Sequence, residues 1–356
     1  MPSVVKNNSW PAVADRLALA VPRERLHPSV LAWAAAQPAN ARWALALSGG
    51  ADSVALLLLL WAHWPERRER LLALHFDHRL RGRASSGDAR FCAGLCRALG
   101  VPLVTGRWAD RPPLRAGTAV PEAAARAARI GFFTTELRRR RIAALFLGHH
   151  RDDVAETMFM RLARGSGTGG LAAPRPVHTH GQPAVGRVHL RPLLTLDKSA
   201  LVAALSEAGA SWREDASNTS AAHLRNRVRA DLIPAWRAAA AEPGRDALGG
   251  LALSRDLLEE DDDALESWAI RCTRLDATGG LALAPLRNAP TAILRRVLHR
   301  WLATAPARTD LNRNGFNSLI ALIASGREGR QSLGAKHFAV IRRGRLRCEP
   351  ASVPVR

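Results

Sequence analysis

The chain contains almost no lysine. Only three of its 52 basic residues are lysines, which are Lys6, Lys198 and Lys336. None of the three follows a glycine, whereas a Walker-type phosphate loop requires glycine, lysine and then serine or threonine. The chain is therefore not a P-loop nucleoside triphosphatase, and any phosphate loop in it must work without a lysine of its own.

Segments that would indicate membrane insertion or secretion are lacking as well. The longest strongly apolar run, Val54–Ala62, is well below the ~20 residues that span a bilayer. The first ten residues lack the basic start and apolar core of a secretory signal. The four cysteines form no CxxC pair for a disulfide framework or a metal. We expect a cytoplasmic protein with no membrane partner.

Acidic residues are outnumbered, with 31 against 52 basic residues and a net charge of +21. Such an excess is typical of proteins that bind a polyanion, and the planar guanidinium of arginine donates paired hydrogen bonds to phosphate. Residues 1–230 carry a net +16, residues 231–330 are neutral and residues 331–356 carry +5. We therefore predict two basic surfaces for nucleic acid.

From about Arg42 onward, short apolar runs alternate with segments of helical length. The predicted strands are 43–47, 71–76, 101–107 and 142–147, and the predicted helices between them are 52–64, 85–99 and 121–141. This order predicts an α/β domain with a parallel sheet and helices on both faces. Its ligands are expected at the carboxyl ends of the strands. A Gly- and Pro-rich stretch, 165–192, is predicted to be a long loop.

After Pro234 the sequence becomes rich in alanine and leucine, which predicts a mainly helical segment. The last stretch, His337–Glu349, alternates around Arg343-Gly344 and predicts a small basic β-hairpin. We accordingly divide the chain into an N-terminal extension (1–41), an α/β domain (42–234) and a helical spacer or nucleic-acid-binding domain with the hairpin (235–356).

The first predicted strand leads directly into a helix through Ser48-Gly49-Gly50-Ala51-Asp52-Ser53. Two glycines let the backbone turn sharply, and the unpaired N–H groups of the helix N-terminus attract an anion. This hexapeptide resembles the phosphate loop of the N-type ATP pyrophosphatases, or PP-loop proteins. The resemblance implies that Ser48–Ser53 bind ATP, with Gly49 and Gly50 on the pyrophosphate and Asp52 holding Mg²⁺ or orienting the phosphates.

Three carboxylates follow the fourth predicted strand. In His149-His150-Arg151-Asp152-Asp153-Val154-Ala155-Glu156, the spacings of three and four residues place Asp152, Asp153 and Glu156 on one helical face. Clustered acids at a strand end of so basic a domain indicate a site for a cation, either a metal ion or a substrate ammonium.

This segment resembles the HxxDDxxET signature of the tRNA(Ile)-lysidine synthetase family, which belongs to the PP-loop proteins. Further motifs of that family appear in the same order. They are His75 to Arg81, the helix with Glu122, Arg126 and Arg129, then Arg164 to Gly167, Arg191 to Leu194, Trp212 to Asn218 and Arg225 to Arg229. The resemblance covers roughly residues 42–234.

The resemblance implies a ligase that makes lysidine in two steps. ATP adenylates the C2 oxygen of the wobble cytidine of the isoleucine tRNA with a CAU anticodon, and free L-lysine then displaces AMP. Asp153, Glu156 and Arg129 would bind the lysine, and Asp153, Glu156 or His149 would take its proton. The predicted tRNA-binding residues are Arg164, Arg225, Arg229, Arg342, Arg343 and Arg345.

Two other functions stay open from the sequence. Another PP-loop enzyme, such as a tRNA thiolase, would need a reactive or cluster-binding cysteine pair, and Cys92 and Cys96 lack the CxxC spacing. A non-catalytic RNA-binding protein would account for the charge but would need neither the Ser48–Ser53 loop nor the acidic cluster.

Overall fold

The computed structural model describes residues 9–78, 83–108, 122–180, 187–214, 224–242, 244, 246–304, 311–334 and 336–350. The chain forms two compact units, Met1–Asp256 and Leu257–Arg356. Parts of two motifs, Arg79 to Arg81 and residues 215–218, lie outside the described residues, as does the side chain of Glu122.

Unit 1 contains a six-stranded sheet among its described residues. Its strands are β1 (Trp43–Ala46), β2 (Leu71–Asp77), β3 (Leu103–Arg107), β4 (Ala144–Phe146), β5 (Val177–His180) and β6 (Arg187–Leu190). They lie in the order β3-β2-β1-β4-β6-β5, and every pairing is parallel except that of β5 with β6. The parallel α/β fold predicted from the alternating segments is confirmed.

Helices cover both faces of this sheet. They are α1 (Trp10–Ala20), α2 (Pro28–Ala35), α3 (Ala51–His63), α4 (Arg83–Ala98), α5 (Glu122–Arg139), α6 (Arg151–Leu162), α7 (Thr168–Leu171) and α8 (Lys198–Glu207). Because strand side chains alternate, Trp43 and Leu45 join the core that contains α1–α4 and α8, while Ala44 joins a second core with Phe133 and Leu137 of α5. A strand buried on both faces is expected to be continuously apolar, as β1 is.

Two segments differ from the sequence prediction. The 165–192 stretch is not one long loop, because it contains α7 and the strands β5 and β6. This stretch can form strands although it has few apolar residues, because β6 is held by hydrogen bonds to β4 and β5 is the outer strand of the sheet. The N-terminal extension is also integrated into the domain, since Val13, Ala14 and Leu17 of α1 are fully buried in the core with α3.

Unit 1 extends beyond residue 234, where the sequence placed the end of the α/β domain. Short helices α9 (Leu224–Arg227) and α10 (Ile233–Ala239) flank a π-helical turn, Val228–Leu232, and α11 (Ala247–Cys272) follows. Val228, Ile233 and Leu248 pack with Ala155 of α6 in one apolar cluster. This burial explains why the compact unit ends only at Asp256.

Unit 2 consists of helices and a small antiparallel sheet. Helices α12 (Thr291–Thr304) and α13 (Arg313–Ser325) accompany β7 (Leu281–Ala282), β8 (Gly329–Gly334), β9 (His337–Arg342) and β10 (Arg345–Pro350). The sheet order is β7-β10-β9-β8. The predicted hairpin is thus β9–β10, and its Ile341 and Leu346 are buried in the core of this unit. The mainly helical segment ending in a hairpin is confirmed.

Candidate active site

The Ser48–Ser53 loop lies between β1 and α3 and is organised by one hydroxyl. The Ser53 Oγ accepts hydrogen bonds from the backbone N–H of Ser48 at 3.1 Å and of Gly49 at 3.2 Å, and it donates to the carbonyl of Gly50 at 2.9 Å. Gly49 has a φ of +91°, a conformation that side chains other than glycine rarely adopt. The loop therefore presents a preformed turn at the N-terminus of α3, where an anion is favoured.

Arg213 holds this loop from outside. Its backbone N–H donates to the carbonyl of Gly49 at 2.9 Å, and its Nε donates to Oδ1 of the buried Asp88 on α4 at 3.0 Å. Arg213 was not predicted as a site residue, although it belongs to the Trp212–Asn218 motif. That motif was the available signal.

Gly148 provides a second constraint on the loop. A Cβ at this position would lie 2.9 Å from the carbonyl oxygen of Asp52 and 3.3 Å from the backbone nitrogen of Ser53. The chain after β4 thus passes directly against the first turn of α3, and only glycine leaves room for that approach.

Replacing Gly148 by alanine should push the first turn of α3 out of place. We expect the free energy of unfolding to fall by about 1–3 kcal/mol, the usual cost of overpacking, together with weaker ATP binding. Urea unfolding and ATP titration measure the two effects. Gly94→Ala is the matched control, because a Cβ there meets nothing within 4 Å and should raise stability by about 0.5–1 kcal/mol. A Gly148→Ala protein as stable as wild type would contradict the packing argument.

His150 connects the loop with the acidic cluster. It precedes α6 and is buried, and its Nε2 lies 3.8 Å from Oδ1 of Asp52 and 3.4 Å from Oδ2 of Asp153. Its Nδ1 lies 3.5 Å from Oδ2 of Asp152. The two sites that the sequence predicted separately are therefore one site, with an imidazole between their carboxylates.

These neighbours shift the protonation of the cluster. Burial lowers the pKa of His150, but the carboxylates of Asp152, Asp153 and Asp52 outweigh burial, so the net shift is upward. Burial likewise raises the pKa of Asp153, but the nearby His150, His149 and Arg225 reverse that effect and lower it. Burial also raises the pKa of Asp152, but His150 and the backbone N–H of Lys198 outweigh burial and help lower this pKa to about 2. Asp152 and Asp153 therefore stay ionised near neutral pH.

Asp153 and Glu156 already hold cationic groups. Arg225 donates from Nη2 to Oδ1 of Asp153 at 2.5 Å and from Nε to Oε2 of Glu156 at 2.6 Å. Arg229 donates from Nε to Oε1 of Glu156 at 2.6 Å. Glu156 has no exposed surface, whereas the side chains of Arg225 and Arg229 are 28% and 45% exposed. The predicted lysine-binding carboxylates and two predicted tRNA-binding arginines thus pair with each other.

His149 is hydrogen-bonded to Arg191, which directly follows β6. Its Nδ1 accepts a hydrogen bond from Nε of Arg191 at 3.1 Å. Burial, together with the charges of Arg191, Arg225 and Arg126, lowers the pKa of His149 to about 3, although Asp153 opposes the shift. The imidazole is therefore neutral, and with Nδ1 accepting, the ring proton belongs on Nε2. In this state His149 is a donor, and it could accept a proton only if Arg191 moved.

Asp52 lies in the first turn of α3 and accepts a hydrogen bond from the ammonium group of Lys198, at the start of α8. Its side chain is 31% exposed. A partly exposed carboxylate that already binds a cation beside a phosphate loop fits Mg²⁺, which binds through one or two carboxylates together with substrate phosphates. Lys198, one of only three lysines, was not predicted as a site residue; its rarity was the only signal.

The other predicted residues lie on several elements. Arg129 is on α5, one helical turn from Arg126, whose charge reaches His149. Arg164 is exposed just after α6, close enough to Arg161 to lower its pKa in addition to burial. In unit 2, Arg342 and Arg343 are exposed at the turn of the hairpin, while Arg345 is paired with Asp276 at 3.1 Å.

Comparisons with known proteins agree with this geometry. The family model of the PP-loop domain matches residues 26–236. Among solved structures, the U34-tRNA thiolase NcsA from Methanococcus maripaludis superimposes with a TM-score of 0.51 and 17% sequence identity, covering 69% of this chain and 78% of that one. At this identity the likeness concerns the fold alone. The fold and the phosphate loop define a PP-loop domain.

Curated relatives narrow this class. A tRNA(Ile)-lysidine synthase from Geobacter sulfurreducens is 36% identical over 79% of this chain, which spans 58% of that protein's length. A second one, from Bordetella bronchiseptica, is 32% identical over 85% of this chain and 88% of its own length. The chain belongs to the tRNA(Ile)-lysidine synthase family. Within the described residues, no helix is both long and apolar enough to cross a membrane.

Proposed function

We propose that the chain is a ligase that forms lysidine in the isoleucine tRNA with a CAU anticodon, using ATP, Mg²⁺ and free L-lysine. The observation that supports this function best is the link through His150, because it brings the phosphate loop and the buried Asp153–Glu156 pair within one site. One part of the site suits ATP, and the other suits an ammonium group.

In the first step, the C2 oxygen of the wobble cytidine attacks the α-phosphate of ATP, and pyrophosphate leaves. The N-terminus of α3 and the Gly49–Gly50 backbone are placed to bind the leaving pyrophosphate. Asp52 would hold Mg²⁺, which would neutralise phosphate charge. Lys198, whose ammonium group contacts Asp52, would add a second positive charge beside the phosphates.

In the second step, the ε-amine of lysine attacks C2 of the adenylated cytidine and AMP leaves. Asp153 and Glu156 would bind the lysine ammonium group, at the positions where Arg225 now donates. Because His149 acts as a donor in this state, we assign the proton lost by lysine to one of these two carboxylates. Arg129 would stabilise the developing charge or the lysine carboxylate.

The two alternative functions agree less well with the structure. Burial raises the pKa of both Cys92 and Cys96 to about 12, and buried thiols of this kind are poor nucleophiles. A tRNA thiolase would need a reactive sulfur carrier. A non-catalytic RNA-binding protein would not need a phosphate loop joined through His150 to a buried cluster of carboxylates.

Release of AMP and pyrophosphate in the presence of the CAU-anticodon tRNA discriminates all three functions. We expect pyrophosphate release to require tRNA, and AMP release to require both tRNA and L-lysine, with a sulfur donor inactive. Release that required a sulfur donor in place of lysine would favour the thiolase. Binding of tRNA with no release of AMP under any condition would leave only an RNA-binding function.

The exposed arginines of the β9–β10 turn are proposed to contact tRNA phosphates. The double variant Arg342→Gln/Arg343→Gln should reduce the slope of log Kd against log salt by about 1.5, because each lost phosphate contact removes about 0.7–0.9. Substitution is preferable to deletion of residues 331–356, since Ile341 and Leu346 are core residues. The control is Arg271→Gln/Arg287→Gln, which removes the same charge from other exposed positions of unit 2. An unchanged slope in the turn variant would refute this contact.

A further inference from the structure

Three histidines occupy one face of the antiparallel pair β5–β6. His178 is paired directly with His189, and His180 lies two residues further along β5, so all three side chains are on the same side. The ring centroids of His178 and His180 are 4.1 Å apart, and those of His180 and His189 are 4.2 Å apart. His180 Nε2 and His189 Nδ1 are 2.9 Å apart and share a hydrogen bond. We call these residues the histidine face.

The histidine face is continuous with the active site. Arg191 lies two residues beyond His189 on the same chain, and its Nε donates to His149, the neighbour of the central His150. The charges of Arg191, Arg175 and Arg161 all reach His178. Arg187, at the start of β6, adds its charge at His180. The three imidazole rings are thus flanked by guanidinium groups, and one of these, Arg191, connects the histidine face with His149 in the active site.

The rings are uncharged near neutral pH. Burial, helped by neighbouring histidines and arginines, lowers the pKa of His178 to about 4 and that of His189 to about 3. Burial and the charges of Arg191 and Arg187 lower the pKa of His180 as well. Neutral imidazoles beside fixed cations combine the two features of a surface for single-stranded nucleic acid, which are flat faces for bases and positive charge for phosphates.

We propose that the histidine face stacks on bases of single-stranded RNA in the anticodon loop, next to the cytidine that enters the active site. This inference rests on the proposed function and assigns a binding surface to its RNA substrate. A metal ion is the competing ligand for three imidazoles. The surrounding arginines disfavour a cation, and among the described residues no three His, Cys, Asp or Glu side chains are arranged to hold one.

The experiment uses the full chain and a fluorescent anticodon stem–loop with the CAU sequence. Fluorescence anisotropy gives Kd at several salt concentrations for His178→Ala/His180→Ala. Loss of stacking should weaken binding about 5- to 150-fold per base and leave the salt slope unchanged, because no phosphate contact is lost. Arg187→Gln should instead reduce the slope by about 0.7. Thr179→Ala is the matched control, since this exposed residue lies on the same strand with its side chain on the opposite face.

A second variant separates stacking from the other roles of histidine. His178→Phe/His180→Phe keeps the flat rings but can neither ligate a metal nor donate a hydrogen bond, and it should restore binding. Failure of phenylalanine to restore binding, together with Zn²⁺ binding by wild type that the alanine variant loses, would overturn the proposal in favour of a metal site. Unfolding curves of all variants check that the sheet edge is intact.

Steady-state lysidine formation separates this inference from the proposed function. We expect the alanine variant to raise the KM for tRNA with little change in kcat, since the histidine face does not touch the reacting atoms. If wild type makes lysidine and the alanine variant keeps the wild-type KM for tRNA, the proposed role of the histidine face is refuted while the proposed function stands. If wild type binds the stem–loop through these histidines but makes no lysidine, the proposed function is refuted while the binding role of the histidine face stands.

Discussion

Asp52→Asn should reduce tRNA-dependent ATP–pyrophosphate exchange at least about a hundredfold, the usual effect of removing a group that stabilises charge in the transition state. The amide keeps the shape of the side chain but cannot hold a cation at this position, where Asp52 now binds the ammonium of Lys198. Exchange of labelled pyrophosphate into ATP measures the first step without lysine. Binding of the anticodon stem–loop should persist, because no RNA contact is assigned to Asp52.

The matched control for this variant is Asp15→Asn, the same change at an exposed position of α1. It should leave both exchange and RNA binding as in wild type. Exchange at the wild-type rate in Asp52→Asn would remove this residue from the account of ATP activation. Loss of RNA binding in parallel with exchange would indicate a misfolded domain instead.

Glu156→Gln should affect both stability and the second step. A neutral amide leaves the guanidinium groups of Arg225 and Arg229 without their shared carboxylate. Removing one partner of a fully buried ion pair costs about 3–5 kcal/mol. Because both arginines are partly exposed to water, we expect a smaller cost of about 2–3 kcal/mol. Lysine incorporation should be lost, and urea unfolding gives the change in stability.

A double variant separates these two consequences. Glu156→Gln/Arg229→Gln removes one charge of each sign, so it should recover part of the lost stability. It should not recover lysine incorporation if Glu156 binds the substrate ammonium. Recovery of both in the double variant would mean that Glu156 serves only the ion pair. Asp153→Asn should also abolish lysine incorporation, since its carboxylate completes the proposed ammonium site.

The parallel core of unit 1 could be predicted from the sequence because its strands are apolar runs buried on both faces. Strands β5 and β6 could not be predicted in this way. They carry histidine, threonine and arginine where a core strand would carry valine or leucine, and their pairing depends on β4, whose Ala144 lies more than 40 residues from Val188 along the chain. Glycine and proline around them suggested a loop.

In the candidate site, too, the local features could be predicted from the sequence and the long-range contacts could not. The residue types and spacings identified Ser48–Ser53 and the three carboxylates, because each set is local in sequence. The bridge through His150, the clamp by Arg213 and the pairing of Glu156 with Arg225 all join elements far apart in the chain. Gly148 is another such case, since the need for glycine arises only from the backbone of α3 beside it.

We propose that one site activates a cytidine with ATP and then attaches lysine to it. The most direct measurement incubates the wild-type chain with ATP, Mg²⁺, isotopically labelled L-lysine and the CAU-anticodon isoleucine tRNA, followed by mass spectrometry of the nucleosides. We predict labelled lysine on the wobble cytidine, with one AMP and one pyrophosphate released for each lysine attached. Unmodified cytidine, or release of ADP and phosphate in place of AMP and pyrophosphate, would contradict the proposal.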